Sequence, residues 1–121
     1  MEVIFKVNED ILTAYIRGDV DHHSAAPLRQ AIDKSMKAFS CCDLILDFSG
    51  VTFMDSSGIG IALGRFKKIS KTGGRVIIAG CSEYIAKLLE MAGVFSLMQR
   101  ADDTESALEM MRDCEQLKME V

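Results

Sequence analysis

No apolar run in this sequence reaches the roughly 20 residues that a bilayer-crossing helix needs, so no membrane span is expected. Positive charge is in deficit: 14 Lys and Arg stand against 18 Asp and Glu, a formal net charge of −4. Nucleic acids and anionic membranes both reward clustered Lys and Arg, so neither is expected as a partner. The opening MEVIFKVNED lacks a basic lead, an apolar stretch and a small-residue cleavage site, so no signal peptide is expected. The four cysteines, at 41, 42, 81 and 114, form no CxxC pair, and two histidines are too few to complete a metal site. Cys41 and Cys42 are neighbours, a poor geometry for bridging each other. Free thiols in a reducing cytoplasm are the expectation, with no metal. Linkers, repeats and low-complexity segments are also missing, so residues 1–121 are expected to form one domain. What is present, 49% apolar and 26% charged residues, is ordinary globular composition.

The apolar pattern predicts the order ββαβαβαβα. Val3, Phe5 and Val7 share one side of a first strand, and Asn8-Glu9-Asp10 turns the chain into a second, ILTAYIRG. After DHHSAAP, with Ser24 as an N-cap and Pro27 in the first turn, Leu28, Ile32, Ser35, Met36 and Phe39 recur at helical spacing. DLILDF, residues 43–48, reads as a buried strand, and Ile59, Ala62, Leu63, Phe66 and Ile69 stripe a second helix ended by Gly73-Gly74. RVIIAG is another strand, followed by a helix that Ser82 caps and Gly93 ends. A short strand over 96–100 precedes a last helix opened by a capping box of Asp102 and Glu105. Strands alternating with helices imply parallel pairing through right-handed crossovers. The expected fold is therefore an α/β domain with a mixed, mostly parallel sheet and an antiparallel N-terminal hairpin.

In such a sheet, sites gather at the carboxyl ends of the parallel strands. Two loops fall there, GDVDHHSA and FMDSSGIG. Asp55, Ser56 and Ser57 are suited to capping the helix behind them, which by itself accounts for such a cluster. A nucleophilic serine would need Gly-x-Ser-x-Gly, but Asp55 stands where Ser57 would need the first glycine. DSSGIG also lacks the Walker lysine and the three-glycine dinucleotide pattern. His22 and His23 suit surface positions as well as a general base. The eight methionines read as core filling, and Lys67, Lys68 and Lys71 as a solvated helix face. Three readings stay open here: a binding module, a serine hydrolase pairing Ser57 with His22 or His23, and a nucleotide-binding module.

Helical phase adds one observation. Ile61 lies two positions after Ile59 and so points away from the apolar stripe. It shares a face with Ser57, Gly64, Arg65 and Lys68 at spacings of three and four. An exposed Ile61 beside a serine and a glycine suggests a surface for a protein partner.

GDVDHHSA, FMDSSGIGIALGRFKKI and LLEMAGVF, in this order and spacing, resemble the STAS-domain anti-sigma factor antagonists of spore-forming bacteria. FMDSSG carries the likeness to the antagonist group, and the DHH loop with GRFKKI narrows it to the sporulation branch. Val20 stands where a leucine is usual in that family, and the tail CEQLKMEV is slightly longer than typical. The resemblance implies a single STAS domain over residues 1–121 with no catalytic activity of its own. It implies that Ser57, the second serine of the motif, accepts a phosphoryl group from an anti-sigma factor that is also an ATP-dependent serine kinase. A PP2C-type serine phosphatase would reverse the modification. ATP and Mg would belong to the partner kinase, leaving this chain without a cofactor. The unphosphorylated form would bind the kinase and free a sporulation sigma factor, and the phosphorylated form would let go. The implied partner-binding residues are Asp19, Asp21 and His22 in the first loop, Asp55, Ser56 and Gly58 around the serine, and Ile61 and Arg65 on the helix. The alternative within the family is an antagonist acting in the general stress response.

Overall fold

Alternation in the third strand shows how the fold is built. Leu44, Leu46 and Phe48 pack into one apolar cluster, while Ile45 belongs to a second cluster on the opposite side of the sheet. A strand buried on both faces needs helices on both, and the chain supplies them. The computed structural model describes the backbone of residues 1–120 and the side chains of residues 1–112. Cys114 and the tail CEQLKMEV lie outside the residues whose side chains are described.

Strands β1 (Glu2–Asn8) and β2 (Ile11–Val20) form the predicted antiparallel hairpin, with Asn8 opposite Ile11. Helix α1 (Ala25–Ala38), β3 (Asp43–Met54), α2 (Ser56–Ser70), β4 (Val76–Ala79), α3 (Glu83–Met91), β5 (Gln99–Ala101) and α4 (Thr104–Glu120) follow. The sheet order is β1-β2-β3-β4-β5, and every pair after the hairpin is parallel. Leu28 and Ile32 of α1, Ala62 and Ile69 of α2, and Ile85 and Leu89 of α3 cover one face. Ala107 and Met111 of α4 cover the other, over Ile45, Ile77 and Ala79. Among the described residues, no helix is long and apolar enough to cross a membrane.

The element order is as predicted, and the local differences have physical causes. β3 runs on past DLILDF to Met54, because its pairing with the long β2 continues through Val51, Phe53 and Met54. β5 is shorter than expected, since residues Val94–Ser96 coil into a 3₁₀ turn after Gly93, which has φ 79°. Phe39 drops out of the α1 stripe: the helix stops at Ala38 and the residue is 58% exposed. At the start of α4 the cap is Asp103 rather than Asp102. Its Oδ1 accepts the Ser106 N–H at 2.8 Å, which holds its carboxyl below the usual carboxylate range.

The seat of α2 matters most for function. It contacts α1 on one side, β3 and β4 beneath, and the 3₁₀ turn on the other. A helix flanked on both sides buries a wider arc than an edge helix. Ile59, Leu63 and Phe66 are partly buried as predicted, but Ile61 is buried too, at 5% exposure. Ile61 is therefore not exposed as expected: its phase sets it off one apolar stripe, but α2 is buried along a wider arc than one stripe.

Candidate functional site

The two loops singled out by sequence leave neighbouring strands. Val20 at the end of β2 pairs with Met54 at the end of β3, and the Asp55 N–H donates to the Val20 carbonyl at 3.3 Å. Both therefore emerge together at the carboxyl ends of adjacent parallel strands, as the topology rule anticipates.

Asp55 is the whole connection between β3 and α2. Its backbone is extended, with φ −108° and ψ −169°, and its Oδ1 accepts the Ser57 N–H at 2.8 Å. Its carbonyl accepts the N–H groups of Gly58 and Ile59 at 3.0 and 3.3 Å. Asp55, not Ser56, is thus the cap that satisfies the orphan donors of the first turn. Both serine side chains are left over. Ser56 is exposed and Ser57 half-buried, and neither hydroxyl has a hydrogen-bond partner among the described residues. Gly58 is buried under this turn. A Cβ there would come within 2.5 Å of Met54 Cγ and 3.1 Å of Val20 Cγ1, so the turn can seat on the strand ends only without a side chain.

The first loop is organised by Ser24. Its hydroxyl donates to the Asp19 carbonyl at 2.9 Å and accepts the Asp21 N–H at 2.9 Å. Ser24 occupies the N-cap position of α1 but makes no side-chain capping bond, because its hydroxyl is spent backwards on the loop. The Asp21 carboxylate likewise turns inward: Oδ1 accepts the N–H groups of His23 and Ser24 at 3.0 and 3.1 Å. Those bonds, the Ser24 N–H foremost, hold its carboxyl below the usual aspartate range. Asp19 is tethered across to β3, where Thr52 Oγ1 donates to its Oδ1 at 2.8 Å. His22 and His23 are exposed and stack edge-on at 5.7 Å. No hydrogen bond joins either ring to Ser57 among the described residues.

Arg65 belongs elsewhere. It is only 7% exposed, and its Nε lies 3.1 Å from Asp33 Oδ1 of α1. Burial pulls its pKa down and the Asp33 charge acts against that. The expected shared surface of Ser57, Ile61 and Arg65 does not form, since both of the last two are turned into the body of the domain. The site residues therefore separate into an accessible set, Asp19, Asp21, His22, Asp55, Ser56 and Ser57, and a supporting set, Gly58, Ile61 and Arg65.

Two polar devices escaped the sequence reading. Thr52, which tethers Asp19, sits in the part of β3 beyond DLILDF, where no apolar run marks a strand. Asp47, by pattern one letter of a buried strand, is a buried hub. Its Oδ1 accepts Ser49 Oγ at 2.6 Å and the Ser49 N–H at 2.9 Å, and its Oδ2 accepts Thr104 Oγ1 at 2.6 Å. A carboxylate inside an aliphatic run was the available signal, because such a group has to find donors. Among the described residues, no group of His, Cys, Asp and Glu is arranged to hold a metal ion.

This mixed sheet, with a capped serine turn beside a hydrogen-bonded acidic loop, has clear relatives. Residues 2–108 match the STAS domain, and the chain belongs to that family. It is 30% identical over 108 residues to the anti-sigma F factor antagonist of Paenibacillus polymyxa, covering 89% of this chain and 92% of that one. It is 28% identical to the anti-sigma-B factor antagonist of Bacillus subtilis, covering 90% and 98%. The solved structure of the anti-sigma factor antagonist SpoIIAA in its unphosphorylated form superposes with a TM-score of 0.79 at 26% identity, covering 93% of this chain and 97% of that one. The phosphorylated form of Bacillus SpoIIAA gives 0.71 at 25% identity, covering 90% and 99%.

Proposed function

We propose that this chain is an anti-sigma factor antagonist that works as a phosphorylation switch. Its unphosphorylated form binds an anti-sigma factor with serine kinase activity and releases a sporulation sigma factor. The kinase then phosphorylates Ser57 and loses its grip, and a PP2C-type phosphatase resets the system. The observation that carries this reading is the division of labour in the α2 turn, where Asp55 caps the helix and the Ser57 hydroxyl is left without a partner. A phosphate on that hydroxyl sits at the positive end of a helix, which tolerates added negative charge, so the fold survives the modification. The relative SpoIIAA, known in both phosphorylated and unphosphorylated forms, supports the assignment.

The switch then acts at the interface. Nearly two negative charges enter a surface that the kinase closes over, adding bulk and a desolvation cost. A penalty of about 4 kcal/mol weakens binding on the order of a thousandfold. The test is incubation with ATP and the cognate kinase followed by intact-mass and fragment analysis. One phosphate on Ser57 is expected in the native chain and in Ser56→Ala, and none in Ser57→Ala, which still binds the kinase. Phosphate on Ser56, or on neither serine, would overturn the proposal. The likeness to the Bacillus subtilis anti-sigma-B factor antagonist keeps a second reading in play, action in the general stress response. The identity of the kinase that modifies Ser57 separates the two.

A further inference from the structure

We infer that the cleft between the C-terminal halves of α1 and α2 is a binding site for a small anionic amphiphile, an apolar chain ending in a single carboxylate. The cleft lies at the opposite end of α2 from Ser57 and has a volume of about 500 Å³. That is within the roughly 300–1,000 Å³ usual for small-molecule sites. Its floor is apolar: Ile69 is buried, and Met36 and Cys41 are half-buried. A methionine floor adapts readily to chains of different shape.

Its rim is positive in a chain that is negative overall. Lys34, Lys37 and Lys68 line it with one lining carboxylate, Asp33, and Asp10 lies close enough to Cys41 for its charge to act on that thiol. Asp33 is already engaged, by Arg65 Nε at 3.1 Å and by Lys68 Nζ at 3.5 Å. Lys34 and Lys37 are exposed and have no carboxylate partner among the described residues. The partial negative charge at each helix end, about half a unit, offsets only part of this excess. No helix N-terminus lines the cleft, so it lacks the free N–H groups that cradle a multiply charged phosphate, and the last-turn carbonyls of both helices are taken by N–H groups of the turns that follow them. A singly charged head reaching the lysines, with an apolar body on Met36 and Ile69, matches both features.

The experiment is a fluorescence titration of the full chain with dansyl-undecanoate, followed by displacement with dodecanoate. Saturable binding in the micromolar range is expected. Dodecanol, equal in length but uncharged, is expected to displace the probe at least about tenfold less well, and Lys34→Glu/Lys37→Glu to lower affinity by at least about tenfold. Both substitutions are at exposed positions, and a circular-dichroism melt checks that the variant is folded. As a readout independent of the lysines, bound dodecanoate slows alkylation of Cys41 and Cys42, which line the cleft, and leaves Cys81 unaffected. Absence of saturation at millimolar probe overturns the inference. So does an unchanged affinity in the folded double variant, or displacement by ATP as effective as that by dodecanoate.

Discussion

Ile61→Asp separates two accounts of α2. If Ile61 stood on an exposed helix face, the substitution would leave the domain folded and damage only partner binding. In the structure Ile61 is 5% exposed and belongs to the cluster of Leu28, Ile32, Val20 and Met54. Removing a buried isoleucine down to alanine costs about 2–5 kcal/mol. Aspartate loses the same contacts and puts a carboxylate into an apolar cluster; Arg65, one turn on, has a buried Nη1 without a hydrogen-bond partner, but its charge is already held by Asp33. The sum exceeds about 5 kcal/mol, the lower end of the roughly 5–15 kcal/mol that holds a domain together. Ile61→Asp is therefore expected to be largely unfolded at room temperature. Ile61→Ala, at about 3 kcal/mol, is expected to lower the melting temperature on the order of 10 °C for a domain of this size. Far-UV circular dichroism against temperature and urea measures both, with exposed Ser56→Ala as a control within about 0.5 kcal/mol of the native chain. A melting temperature for Ile61→Asp within a few degrees of native would refute the helical seat described for α2.

Thr104→Val keeps the shape of a side chain that donates to Asp47 but deprives the buried Oδ2 of its donor, and should cost about 1.5–3 kcal/mol in urea unfolding. Cys81 should be the slowest of Cys41, Cys42 and Cys81 to alkylate in a mass-spectrometric time course. Burial, opposed by Arg100 and aided by Asp47, pushes its thiol up to about 11, so little thiolate exists near neutrality. The Asp21 carboxyl, held down by the Ser24 and His23 N–H groups, should titrate below the ordinary aspartate value when followed by carboxyl-carbon NMR. Because its folded pKa is depressed, its contribution to loop order is present above the unfolded aspartate pKa and is lost as pH falls through the folded value. An Asp21 titration at or above the ordinary value would contradict the inward-turned geometry.

Local chemistry made much of this protein legible in one dimension. The hairpin, the alternation of strands and helices and the Ser82 cap follow from nearest-neighbour patterns, and the meeting of the two loops at one sheet end follows from the parallel order those patterns imply. The same is true of a cap within Asp55-Ser56. Such features depend on backbone propensity and on one buried face at a time, which the spacing of apolar residues records directly. What only tertiary structure decided is where several elements converge. The burial of Ile61 and Arg65 comes from α1 lying against α2, and no periodicity within α2 encodes that neighbour. The tether of the first loop depends on Thr52, 33 residues away, donating to Asp19 Oδ1. The Asp47 hub needs Thr104, 57 residues away, to arrive at its open oxygen. A residue's own period tells which way it points, but the burial of that direction is set by distant segments packing there, and that is a property of the assembled layers.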